Sequence, residues 1–204
     1  MTDEHKSAPT EERGRAFEAR SHALEDLRTW GVDLSGDYTA RHGERLVQDL
    51  LAHGFVQTLE SPLGEVYALA PGGYRHFEYA FQWYKPNDSA MLDQLALRAT
   101  VAVMLARGYI LPSWSSRTVA RVVSPSGVPT YLVVKYRKPL SSAITGTVKR
   151  LVEDGIEANA EIIVFREQAS RMQAILTKFE HRIVLEEPVW SGALGVSPPA
   201  ERSL

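Results

Sequence analysis

The chain has 204 residues, 44% hydrophobic and 24% charged, with 23 basic against 25 acidic side chains and a net charge of −2. Those proportions belong to an ordinary globular protein and exclude a fibrous or low-complexity chain. No cysteine is present, so neither a disulfide framework nor a thiolate metal site can form.

The opening MTDEHKSAPTEERGR lacks the apolar core of a signal sequence, and no run reaches the roughly eighteen apolar residues of a membrane span. A cytoplasmic protein without membrane contact is expected. Residues 1–10 and 192–204 read as disordered tails, flanking a first domain over 11–86 and a second over 87–191. In the first, Phe17, Leu24, Leu27 and Trp30 recur at helical spacing and predict a helix over 11–30, closed by Gly31. A second helix is predicted over 38–53, with Asp37 as N-cap, Leu46, Val47, Leu50 and Leu51 on one face, and Gly54 at its end. Residues 55–59 and 65–69 alternate around the turn SPLG, a β-hairpin. Pro71-Gly72-Gly73 breaks it, and 74–84 resumes as a helical or irregular segment. Six aromatics fall there (Tyr74, Phe77, Tyr79, Phe81, Trp83, Tyr84), which leaves a homodimer contact open.

After KPND a long helix is predicted from Ser89 to Gly108. Residues 119–123 and 130–136 are β-rich runs joined by SPSGVP, a second hairpin. A helix over 141–154, a buried strand over 161–165, a helix over 167–179 and a strand over 182–186 complete the chain. The order β-β-α-β-α-β predicts a small mixed sheet with helices packed on it, so the fold class is α+β.

Charge is distributed unevenly. Between Asp93 and Glu153 lie fifty-nine residues with no Asp, Glu or His and nine cations: Arg98, Arg107, Arg117, Arg121, Lys135, Arg137, Lys138, Lys149 and Arg150. A surface of one sign attracts polyanions and releases their counterions on contact. Arg117 and Arg121 stand four apart on one predicted strand and so share a face. Lys135, Arg137 and Lys138 follow the next strand, and Lys149 and Arg150 close a helix. The six histidines show no metal-binding spacing, and Thr145-Gly146-Thr147 near Lys149 lacks a phosphate-loop frame. No cofactor and no metal ligand are expected.

The stretch RLVQDLLAHGFVQTLESPLGEVYALAPGGYRHF runs helix, Gly, strand, turn, strand, and resembles a winged helix-turn-helix domain. The resemblance implies double-stranded DNA as partner, with groove contact from Arg41 and Arg45 beside His42. Glu44, Asp49, Glu60 and Glu65 lie in the same unit and oppose that role. The second half resembles the restriction-endonuclease-like core, in which one strand of a hairpin carries an acid and the next an acid-x-Lys triplet that bind Mg²⁺. That triplet falls on Val133-Val134-Lys135 and the earlier acid near Val119. The lysine is kept and both carboxylates are valine, so no catalytic residue is assigned. With the helix MLDQLALRATVAVMLARGYIL between them, the two parts resemble, over about residues 35–187, the replication-relaxation family of plasmid and mobile-element proteins. The expectation is a non-catalytic DNA-binding protein in replication or regulation of such an element, with Arg117, Arg121, Lys135, Arg137, Lys138, Lys149 and Arg150 on phosphate. Two alternatives remain: a nuclease with carboxylates displaced to Glu78, Asp93, Glu153 or Glu161, and an interaction module whose basic face meets an acidic protein.

Overall fold

The computed structural model describes residues 8–78, 85–116, 119–136, 141–165, 179–186 and 188–189. The chain is α+β and divides into two compact units, Met1–Pro86 and Asn87–Leu204.

The first unit begins with α1 (Ala8–Trp30), which reaches three residues into the stretch expected as a tail. Ala23, Leu24 and Leu27 are the positions it buries; Phe17, expected on the same packed stripe, is 62% exposed. Gly31 ends the helix at φ 85°, donating its N–H to the Leu27 carbonyl at 2.8 Å. A short strand that the sequence reading missed follows, β1 (Val32–Leu34). The helix predicted over 38–53 is in fact two, α2 (Ser35–His42) and α3 (Glu44–Ala52). Gly43 separates them at φ 85° and ψ 136°, a conformation that breaks the i→i+4 ladder and that glycine reaches without a Cβ penalty. Asp37 therefore lies inside the first turn of α2 and caps nothing.

Beyond α3, the Phe55 N–H reaches back to the Leu50 carbonyl at 2.9 Å and the Gly54 N–H to Leu51 at 3.0 Å. This is a Schellman closure around the positive φ of Gly54. Strands β2 (Val56–Ser61) and β3 (Gly64–Leu69) form the hairpin, and β1 pairs on the far side of β3, giving the antiparallel order β1-β3-β2. The core joins Leu24 and Leu27 to Tyr38, Val47, Leu50, Val56, Tyr67 and Leu69. The buried Tyr38 hydroxyl is satisfied by donating to the Ala23 carbonyl at 2.9 Å. Pro71-Gly72-Gly73 does not merely break the hairpin. It opens α4 (Pro71–His76), with Pro71 in its first turn.

The second unit starts with α5 (Asp88–Ala106), one residue before the predicted start, capped by Asn87, whose side chain accepts the Ala90 N–H at 2.9 Å. Among the described residues α5 is the one helix long and apolar enough to cross a membrane, and 61% of it is buried within the protein, as in a core helix. The hairpin is part of a meander: β4 (Ile110–Ser116), unforeseen, then β5 (Val119–Val123) and β6 (Pro129–Val134), all antiparallel. After α6 (Ser141–Glu153) come β7 (Glu161–Phe165) and β8 (Arg182–Glu186), which continue the sheet in parallel, in the order β4-β5-β6-β7-β8. The helix expected over 167–179 lies almost wholly outside the described residues.

Strand alternation splits the buried side chains between the sheet's two faces. Val119, Tyr131, Val133, Ile162 and Val164 pack with Ile144, Val148 and Leu151 of α6. The intervening Ala120, Val122, Leu132 and Val134 are equally buried on the other face, where α5 packs on β4, β5 and β6.

Candidate nucleic-acid interface

Splitting the predicted helix reassigns its cations. Arg41 sits at the end of α2, not on the helix that follows the turn. Its guanidinium is ion-paired to Asp33 and lies 3.3 Å from Asp26, while His42 Nε2 lies 3.0 Å from the same Asp26 carboxylate. Asp33 is 1% exposed. A buried carboxylate of this kind needs a cation beside it, so Arg41 ties β1 and α1 to α2. Arg45 differs: it is exposed in the first turn of α3 and has no ion-pair partner among the described residues.

Of the acids on this unit, Asp49 is neutralised, bonded to Arg20 at 2.9 Å and facing His53 at 3.2 Å. Glu44 accepts from Gln48 at 2.8 Å on the exposed side of α3. Glu60 and Glu65 are directly paired across β2 and β3 and exposed.

In the second unit the register places Val119 of β5 opposite Val133 of β6. They are 2% and 0% exposed and packed among the α6 side chains. A Mg²⁺ ion does not fit there, because neither position offers an oxygen ligand. Lys135, two residues past Val133, donates instead to Asp93 Oδ2 of α5 at 2.7 Å, and the other Asp93 oxygen accepts the Tyr136 N–H at 2.9 Å. Within the second unit the other displaced-acid positions have ion-pair partners of their own. Glu153 pairs with Lys149 at 3.5 Å and Glu161 with Arg182 at 3.0 Å, while Glu78 belongs to the first unit. No group of three metal-binding side chains occurs among the described residues.

Four described cations of the basic segment are paired with carboxylates that lie outside it. Arg121 on β5 donates through Nε to Glu157 Oε1 at 2.9 Å and through Nη2 to the same oxygen; Tyr131 of β6 donates its hydroxyl to Oε2 at 2.9 Å. Hydrogen bonding to Arg121, more than partial burial opposes it, holds the Glu157 carboxyl below its ordinary pKa, and burial followed by Glu157 itself raises the Tyr131 phenol. Arg107 faces Glu186 at 3.7 Å. Arg150 is exposed and has no ion-pair partner among the described residues. Arg117, Arg137 and Lys138 lie outside the described residues.

Nor do the described cations share one face. Arg121, Lys149 and Arg150 belong to the α6 layer, whereas Lys135 is held by α5 on the other side and, four residues past Tyr131, stands roughly 13 Å further along the strand direction. The chain matches no protein-family model, no curated protein and no solved structure. What the sequence reading missed is the partner acids Asp33, Glu157 and Glu186, and the pairing of Asp93, named there only as a displaced carboxylate, with Lys135. The one available signal was burial, since Asp33 sits between apolar Val32 and Leu34 in a short extended run, and Asp93 between Leu92 and Leu95 in an apolar helix.

Proposed function

We propose that the chain binds double-stranded DNA and does not cut it. The observation that carries this reading is the pair α2 and α3, bent at Gly43 and continued into the β2–β3 hairpin, with Arg45 exposed at the start of the second helix. A helix pair braced by a hairpin is the winged-helix arrangement, in which the second helix lies in the major groove and the hairpin reaches the backbone. Support for the non-catalytic half comes from Val119 and Val133, which face each other where a nuclease-like hairpin would carry its acids.

Each unit offers fewer available cations than their count suggests. Among the described residues Arg45 in the first unit and Arg150 in the second have no ion-pair partner; Arg41, Arg121, Lys135 and Lys149 are engaged with carboxylates, and Arg117, Arg137 and Lys138 enter on sequence alone. The resemblance to the replication-relaxation family supplies the setting, replication or regulation of a mobile element.

Fluorescence anisotropy with a labelled duplex, titrated from about 50 to 300 mM salt, tests the reading. Binding is expected to weaken with salt, with Arg45→Ala lowering the slope by about one. An affinity indifferent to salt sinks it. Supercoiled plasmid with Mg²⁺ or Mn²⁺ is expected to stay intact, and nicking that disappears in Asp93→Asn would overturn the non-catalytic half.

A further inference from the structure

Glu157 lies in the loop that returns from α6 to β7, and both its carboxylate oxygens are taken. Oε1 receives two N–H groups of Arg121, Oε2 receives the Tyr131 hydroxyl, and the Glu157 carbonyl accepts the Ala160 N–H at 2.8 Å, fixing the turn. Arg121 and Glu157 still touch solvent, with side chains 25% and 36% exposed, so an external anion can reach the guanidinium if the carboxylate leaves. The same end of the α6 layer carries Lys149 and Arg150, balanced by Glu153, Asp154 and Glu157. Three cations against three acids give no net attraction for phosphate.

We propose that Glu157 is an autoinhibitory carboxylate that occupies Arg121 in place of a DNA phosphate, so that the second unit grips the backbone only when Glu157 is displaced. This rests on the DNA-binding reading above and specifies how that binding is held back. Glu157 mimics the phosphate: one carboxylate oxygen receives both N–H groups of the Arg121 fork, while Tyr131 holds the other oxygen. A phosphate that replaces it gains one charge-assisted contact and leaves Lys149 and Arg150 facing two acids instead of three. Glu153 is a weaker brake, because its pair with Lys149 is an exposed i,i+4 contact on one helix.

The test is a double-mutant cycle on the full chain, read by anisotropy with a labelled random-sequence duplex, with circular dichroism to establish folding. Glu157→Gln is expected to bind about fivefold more tightly at low salt, with a salt slope steeper by about one. Arg121→Gln alone is expected to weaken binding, because it leaves Glu157 uncompensated, and Arg121→Gln with Glu157→Gln to lose the gain. If Glu157→Gln does not fold, Tyr131→Phe, which loosens the carboxylate without changing charge, is expected to shift affinity in the same direction by about twofold, again only while Arg121 is present. A folded variant no tighter than wild type, or a gain that survives loss of Arg121, overturns the proposal while wild-type binding leaves the DNA-binding reading standing. Absence of binding by wild type and every variant overturns both.

Discussion

Asp33 illustrates how single residues here carry structural rather than recognition roles. Its neighbours in β1 are apolar, it has almost no contact with water, and Arg41 supplies the facing charge from the next element. Breaking such a pair from one side leaves the buried charge behind, which costs more than the pair contributes. Arg41→Met is therefore expected to lower the stability of the first unit by about 3 kcal/mol, read as a shifted midpoint in urea unfolding, with Asp33→Asn/Arg41→Met recovering part of it. A loss of DNA affinity without loss of stability would instead return Arg41 to the interface. Lys135 belongs to the same category, since its ammonium and the Tyr136 N–H together satisfy Asp93 and fasten the end of β6 to α5.

Between elements, the close seat of α4 decides the shape of the hairpin's end. The Ala70 N–H bonds to the Phe55 carbonyl at 2.9 Å and the Gly72 N–H to the Gly54 carbonyl at 3.0 Å. A Cβ on Gly73 would overlap the Phe55 carbonyl oxygen and the Leu69 side chain, and one on Gly72 the Gly54 carbonyl oxygen. Gly73→Ala is expected to cost about 1–3 kcal/mol in thermal unfolding, and a neutral result would mean that α4 can move away without loss. At this scale much was legible. The runs 119–123, 161–165 and 182–186 are strands with those bounds, because β-branched and apolar residues cluster there between turn formers. The division of α2 from α3 was not, because the apolar spacing on either side of Gly43 reads as one helical face and a lone glycine in a helical pattern is usually tolerated. Strands β1 and β4 escaped for different reasons. The first is three residues long and exists by pairing with β3, and the second carries Pro112 and three serines in place of alternation.

For the molecule as a whole, charge is where sequence and structure part. An acid-free stretch is visible in the sequence, but its neutralisation is not, because Glu157 and Glu186 meet Arg121 and Arg107 only after the sheet is assembled. The same pairing sets an acid dependence. Glu157 is held below its ordinary value of 4.5, first by the hydrogen bond from Arg121 and then by its own backbone N–H. A carboxylate depressed on folding contributes stability that is present above its unfolded value and lost as pH falls through the folded one. Wild type is thus expected to lose stability on acidification below about pH 4.5, with a shallower decline in Glu157→Gln over the same window, measured by urea unfolding at each pH. Identical slopes would remove Arg121 as the cause.

The carboxylates that meet Arg107, Arg121 and Lys135 lie at or beyond the ends of the fifty-nine residues, so those pairs form only in the folded protein. The unfolded chain exposes nine positive charges in a row of apolar and neutral residues. Any ligand that prefers the unfolded state draws the equilibrium toward it by mass action. A polyanion that prefers the unfolded chain would lower apparent stability in this way, and folding opposes it by bringing distant carboxylates onto Arg107, Arg121 and Lys135.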